Sequence, residues 1–305
     1  MQDYVLFTDS TTDLSPALIK EMDAVVMPLS FTLNDKSYQN HPDGREMPMA
    51  DFYTALRSGG TSTTSQLTME TLRKAFAPVL EQGKDVLYLA FSSGLSGTYQ
   101  TACITAQDLM EEYPGRRVVC VDTLQASMGE GLLTFEAALL RKQGKSLDEV
   151  ADYVRTQGQS YCAWFTVEDL MFLKRGGRVS GAAAVAGTLL GIKPVLHVDH
   201  EGKLIPMEKV RGRRASLDAL VKHYKDGVLD KTGTVFISHG DCLADAQYVA
   251  DKIRAIGAGR IELNMIGPVI GAHSGPGTVA LFYRGTNRYS IALKRPTAAR
   301  LRRRI

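Results

Sequence analysis

In the first half of the chain, short apolar runs are each followed by a stretch of small hydroxyl residues and then by a segment with helical spacing. Tyr4-Val5-Leu6-Phe7 leads into Thr8-Asp9-Ser10-Thr11-Thr12-Asp13 and a helical segment over 16–21. The run 85–91 leads into Ser92-Ser93-Gly94-Leu95-Ser96-Gly97-Thr98, after which Tyr99, Ala102, Cys103, Ala106, Leu109 and Met110 recur at helical intervals. Val118-Val119-Cys120-Val121 leads into 122–127 and a long helix through Leu140. Such strand–loop–helix units predict an α/β domain with a mostly parallel sheet covered by helices on both faces. In that architecture the loops leaving the carboxyl ends of the strands gather at one edge, where ligands bind.

Near Gly158 the pattern changes. A short strand over 161–165 and a helix from Glu168 are followed by apolar runs at 193–198 and 204–210, which read as a hairpin turning at Gly202. Helices over 215–224 and 244–256 and strands over 234–238, 261–265, 279–283 and 289–294 complete the pattern. This predicts an α+β domain with a mixed sheet. The expected organisation is therefore an α/β domain over 1–157, an α+β domain over 158–293 and a basic tail over 294–305, with 34–49 an exposed hairpin or flap inserted in the first domain.

With 305 residues, 44% hydrophobic and 23% charged, the chain has the composition of a globular protein with room for two cores, which excludes disorder, collagen and a disulfide scaffold. The formal charge of +3 misleads, because Lys294, Arg295, Arg300, Arg302, Arg303 and Arg304 outweigh it and leave the body slightly acidic. A nucleic-acid-binding domain spreads its basic excess over a face of the fold, so no nucleic-acid partner is expected. Cys103, Cys120, Cys162 and Cys242 lack metal or redox spacing and read as small hydrophobes. No apolar stretch is long enough for a membrane span, and polar Gln2 and Asp3 precede the first apolar run, so neither membrane insertion nor a signal peptide is expected. A reduced, cytoplasmic protein is the expectation.

The common catalytic signatures fail one by one. Gly144-Lys145-Ser146 lacks the earlier glycine of a phosphate loop, and Gly94-Leu95-Ser96-Gly97 has Thr98 where a nucleophile elbow needs glycine. No metal or cofactor is predicted. What remains are hydroxyl- and glycine-rich segments at 61–66, 92–98 and 267–278, read as loops. Hydroxyls, exposed backbone N–H groups and a helix N-terminus together suit a carboxylate or phosphate. The segment 182–192, nearly all apolar and small, is either a packed interdomain helix or a wall for an alkyl chain. Basic segments at 174–178 and 209–214 suit a phosphate-bearing or acidic partner, or a solvated face.

Taken in order, these motifs resemble the DegV family of bacterial fatty-acid-binding proteins. The resemblance rests on Thr8-Asp9-Ser10-Thr11, Thr64-Ser65-Gln66, the segment 92–100, Asp122-Thr123-Leu124-Gln125-Ala126-Ser127, the segments 173–180 and 189–196, Lys209-Val210-Arg211 and Gly275-Pro276-Gly277. It implies a long-chain fatty acid held between two domains, its carboxylate toward the hydroxyl segments. It also implies a role similar to the binding subunit of a two-component fatty acid kinase, in which a separate ATP-dependent subunit phosphorylates the presented carboxylate for phospholipid synthesis. On that pattern Thr64 and Ser96 hold the carboxylate, with Ser65, Ser93 and His273 as neighbours, and Arg178 and Arg211 face the kinase or the transferred phosphoryl group. Leu67, where the family often has proline, and the arginine-rich tail depart from the pattern. The alternative from another class is a hydrolase or acyltransferase with Ser93 or Ser96 as nucleophile and His273 as base.

Overall fold

The computed structural model describes residues 3–179, 191–286 and 288. Most of the small apolar segment 182–192, the expected strand 289–294 and the basic tail lie outside the described residues. The chain is an α/β protein whose described residues form three sheets. The first is wholly parallel, in the order β2 (Val25–Met27), β1 (Tyr4–Asp9), β6 (Asp85–Ala90), β7 (Val118–Asp122). The largest is mixed, in the order β10 (Leu204–Arg211), β9 (Ile192–Val198), β8 (Tyr161–Thr166), β13 (Val279–Arg284), β11 (Val235–His239), β12 (Ile261–Met265). Among the described residues of this sheet, β11 and β12 alone pair in parallel. β6 and β8 are buried along their whole length, as the unbroken apolar runs of central strands require.

The helices in the first half are α1 (Pro16–Met22), α2 (Met49–Arg57), α3 (Met69–Glu81), α4 (Thr98–Glu112), α5 (Met128–Lys142) and α6 (Leu147–Gln157). Those in the second half are α7 (Met171–Arg175), α8 (Arg213–Gly227), α9 (Leu243–Ile256) and α10 (Pro268–Ser274). Their starts follow from local chemistry. Ser15 caps α1 with Pro16 in its first turn, and Ser146 and Glu149 form a reciprocal capping box on α6.

Two expected loops are regular elements. Residues 62–65 form β5 (Ser62–Ser65), which pairs with β3 (Ser30–Leu33) so that Thr64 lies opposite Phe31, and β4 (Lys36–Gln39) completes this third, antiparallel sheet. Its four hydroxyl residues carry no apolar alternation, and the strand exists because β3 supplies its partner; the cap of α3 is Thr68. The turn between β3 and β4 is made by Asn34 and Asp35, both at positive φ, as a tight hairpin demands. Part of the glycine-rich segment 267–278 is α10, started by Pro268. The helix expected from Glu168 begins instead at Met171.

The parallel and mixed sheets share apolar contacts through α5. Leu6, Leu87 and Leu132 belong to the same cluster of buried side chains as Phe165, Phe236 and Phe282. A Cβ on Gly129 would lie 2.7 Å from the Phe282 ring and 2.8 Å from Gln125 Oε1, so glycine lets α5 sit against β13. Gly129→Ala should therefore cost about 1–3 kcal/mol by overpacking, read as a lower urea midpoint at unchanged m; an unchanged midpoint would refute this account. The buried Arg288 guanidinium adds a polar tie, donating to the carbonyls of Leu124, Gly158, Tyr161 and Asp199 at 2.8–2.9 Å.

The Thr8-Asp9-Ser10-Thr11 motif is buried at the end of β1. Asp9 receives the Thr11 backbone N–H (3.0 Å), the Tyr88 hydroxyl (2.7 Å) and the Phe91 N–H (3.4 Å). The Thr11 hydroxyl faces both Asp9 Oδ1 (2.5 Å) and Glu130 Oε2 (2.7 Å). One hydroxyl has one proton, so it cannot donate to two carboxylates. Asp9 has the larger set of donors, which makes Glu130 the carboxyl that keeps its proton. Burial first, and then the neighbouring Asp9 charge, push the Glu130 pKa well above its ordinary value.

Candidate functional site

A cavity of about 490 Å³ lies between the carboxyl edge of the parallel sheet and the facing side of the mixed sheet. Its walls are apolar and come from every part of the fold: Phe91 after β6, Phe165 on β8, Val198 on β9, Val269 on α10 and Phe282 on β13. Its polar residues include Thr64 and Ser65 on β5, Ser96 before α4, Arg178 after α7, and His273 and Ser274 on α10. The size is within the range of about 300–1,000 Å³ of small-ligand sites.

At the polar end, Thr64 Oγ1 lies 2.8 Å from His273 Nε2. Burial, with Arg178 as a lesser cause, pushes the His273 pKa down to about 4, so the ring is neutral at pH 7. Its Nδ1 is buried without a hydrogen-bond partner among the described residues, against Gly176, where a Cβ would come within 2.0 Å of it. The tautomer that avoids an orphaned N–H puts the proton on Nε2. Nε2 then donates to Thr64, which leaves the Thr64 O–H as a donor for a ligand. Ser96 is arranged similarly. Its Oγ accepts from the Thr98 N–H at 3.2 Å and lies 3.0 Å from the Thr98 hydroxyl, which itself accepts from the Leu67 N–H at 3.3 Å. Donation from Thr98 to Ser96 leaves the Ser96 O–H available as well.

The loop carrying Ser96 is held from three sides. Ser92 Oγ donates to the Gly202 carbonyl at 2.8 Å, tying the loop to the β9–β10 turn. Asp122 Oδ1 accepts from the N–H groups of Ser93 (3.2 Å) and Leu124 (3.0 Å), joining the loops after β6 and β7. Arg178 Nε donates to the Leu95 carbonyl at 3.3 Å.

Of the expected site residues, Thr64, Ser65, Ser96, Arg178 and His273 line this cavity, while Ser93 and Arg211 do not. The Ser93 N–H serves the clasp on Asp122, and Arg211 is exposed at the end of β10, opposite Ile192. The sequence reading missed Ser274, whose buried hydroxyl has no partner among the described residues, and Ser127, which lines the cavity while donating to Asp13 Oδ2 at 2.5 Å. Both stood in segments already marked as hydroxyl-rich, with nothing local to separate them from their neighbours. His273 bonds Thr64, and among the described residues it makes no hydrogen bond to Ser93 or Ser96, so no serine–histidine pair is assembled. Nor do the described residues contain a cluster able to hold a metal ion, or a helix long and apolar enough to cross a membrane.

Comparison with known proteins agrees with this architecture over nearly the whole chain. A DegV domain-containing protein of Clostridium perfringens is 40% identical over 287 residues, 93% of this chain and 98% of its own. A DegV family protein of Thermus thermophilus, whose structure is described for its fatty acid binding, is 31% identical with a TM-score of 0.84, covering 93% of this chain and 100% of that one. DegV of Bacillus subtilis, described as a fatty acid binding protein, is 25% identical with a TM-score of 0.80, covering 92% of this chain and 99% of that one. Residues 4–286 match the family described as uncharacterised protein, DegV family, and the chain belongs to that family.

Proposed function

We propose that this protein binds a long-chain fatty acid, with its tail in the apolar cavity and its carboxylate at Thr64 and Ser96, and presents that carboxylate to a separate ATP-dependent kinase subunit. The observation that carries the reading is a cavity walled by apolar side chains from both halves, 1–157 and 158–293, with the Thr64 and Ser96 hydroxyls among its polar lining. Each buried methylene contributes about 0.8 kcal/mol, so affinity comes mainly from the tail and orientation from the polar end. The fatty acid binding of the Thermus thermophilus and Bacillus subtilis proteins supports the ligand class.

A seat of neutral hydroxyls suits presentation. It fixes the carboxylate without an ion pair, leaving one oxygen free to attack the γ-phosphorus of ATP. The new oxygen–phosphorus bond gives an acyl phosphate, the bond to ADP breaks, and ATP and its metal belong to the kinase. Ser65 and His273 support the seat, Arg178 borders it, and Arg211 is a candidate contact for the kinase. The acyl phosphate would enter phospholipid synthesis in the cytoplasm.

Native mass spectrometry of the purified protein should show a bound C14–C18 acid, or uptake of added palmitate or oleate after delipidation. Absence of both would overturn the reading. With kinase, ATP and fatty acid present, hydroxylamine should trap an acyl hydroxamate. Arg211→Ala should lower its yield while leaving fatty-acid affinity unchanged, and a loss of lipid affinity would instead make Arg211 part of the lipid site.

A further inference from the structure

Cys103 and Cys120 carry no redox spacing in the sequence, yet the fold brings their thiols together. Val118 and Cys120 of β7 point to one side of the parallel sheet, into the cluster that holds Ala102, Ala106 and Leu109 of α4, while Val121 points to the opposite cluster. Cys103 lies on the adjoining stripe of α4, one turn after Tyr99. Its sulfur accepts hydrogen bonds from the Cys120 thiol and the Tyr99 hydroxyl, and all three residues are only partly buried. These hydrogen bonds, the one from Cys120 first, hold the Cys103 thiol below its ordinary pKa against burial and the Asp122 charge. The same contact pushes the Cys120 thiol up, so Cys120 is the one that keeps its proton. Burial pushes the thiols of Cys162 and Cys242 up to about 12. Neither Cys103 nor Cys120 lines the apolar cavity.

We propose that Cys103 and Cys120 form a dithiol oxidised by hydrogen peroxide, with Cys103 as the attacking sulfur and Cys120 as the resolving one, whose disulfide ties α4 to β7. The thiolate is the nucleophile, and Cys103 is the sulfur with donors placed to stabilise it. Its thiolate attacks one peroxide oxygen, the O–O bond breaks, and the departing hydroxide takes up a proton to become water, which leaves Cys103 as the sulfenic acid. The Cys120 sulfur then attacks the Cys103 sulfur. The S–O bond breaks, and the hydroxyl leaves as a second water with the Cys120 proton. Two thiols are oxidised and one peroxide is reduced to two waters. Thiols already in hydrogen-bond contact reach the S–S length of about 2.05 Å by side-chain rotation and a small approach of helix to strand. The bond joins the two elements that hold the Ser96 loop: Thr98 opens α4 beside Ser96, and Asp122, two residues beyond Cys120, accepts the Ser93 N–H.

The test treats the reduced full-length protein with hydrogen peroxide near neutral pH, alkylates the remaining thiols with N-ethylmaleimide and maps the peptides by mass spectrometry. The wild type should lose the Cys103 and Cys120 thiols together, at least about tenfold faster than those of Cys162 and Cys242, and yield an intramolecular Cys103–Cys120 cross-link that dithiothreitol reverses. Cys120→Ser should leave Cys103 as a sulfenic acid that dimedone traps, and Cys103→Ser should slow the oxidation of Cys120 to the pace of the other two. Wild-type Cys162 or Cys242 consumed as fast as Cys103, Cys103 carried on to the sulfinic acid without a cross-link, or cross-links between molecules in place of the internal one would overturn the proposal. Each of these readouts needs no lipid, so the fatty-acid reading stands or falls separately.

Discussion

Asp9→Ala should lower the unfolding free energy by about 3–5 kcal/mol, because several buried donors lose their acceptor together and each orphaned group costs about 1–3 kcal/mol. The donors are the Thr11 N–H and hydroxyl, the Tyr88 hydroxyl and the Phe91 N–H. Glu130→Gln should behave in the opposite way. If Glu130 is the protonated carboxyl, an amide reproduces it, with NH2 toward Thr11 and C=O toward Thr8, whose hydroxyl lies 3.1 Å from Oε1. The pH dependence carries the sign. A carboxyl whose folded pKa is raised holds a proton that the unfolded chain releases above about pH 4.3. Its contribution is therefore full at lower pH and falls by about 1.4 kcal/mol per pH unit as pH rises toward the folded pKa. Glu130→Gln removes that loss, so the variant should match or exceed the wild type at neutral pH, with its advantage shrinking toward pH 4. Urea unfolding at pH 4.5 and 7.5 tests both statements. An Asp9→Ala variant within about 1 kcal/mol of wild type, or a Gln variant damaged as badly as Asp9→Ala, would show that the proton assignment is wrong.

The second large effect concerns the head group. Thr64→Ala and Ser96→Ala should each cost about 1 kcal/mol of fatty-acid binding for a neutral hydrogen bond and up to about 3 when the acceptor is ionised. Together they should reduce affinity at least about thirtyfold. Thr64→Ala also leaves the His273 Nε2–H without its acceptor, so part of the cost is a newly orphaned donor. Thr64→Ser and Ser96→Thr keep the hydroxyls and should retain most of the affinity. Displacement of a fluorescent fatty acid reads the series directly. A double variant within threefold of wild type would remove both residues from the seat.

The sequence made some parts of this arrangement legible and hid others for identifiable reasons. The strands at 85–90 and 118–122 and the helices after them stand out because their burial follows from local periodicity. β5 does not, since Ser62-Thr63-Thr64-Ser65 has no apolar face and becomes a strand only by pairing with β3. The family motif at 8–11 is as rich in hydroxyls as the cavity segments, yet its hydroxyls and carboxylate are spent inside the fold on Glu130, Tyr88 and Leu29. Ser93 and Ser96 stand in one hydroxyl-rich loop, and the fold gives the Ser93 N–H to the clasp on Asp122 while Ser96 lines the cavity. Thr64 and His273 are 209 residues apart, and no local signal announces their hydrogen bond.

By itself the sequence determined the fold class, the change of pattern near Gly158, the hydroxyl-rich segments and the absence of catalytic signatures, because each of these is written in the order of neighbouring residues. The tertiary structure decided which of those hydroxyls share a cavity, which carboxyl keeps a proton, and that the thiols of Cys103 and Cys120 meet. Periodicity reports that a face is buried but not against what. The identity of the facing residues depends on strand order and helix packing across the whole chain, and the chemistry of this site lies in those long-range meetings.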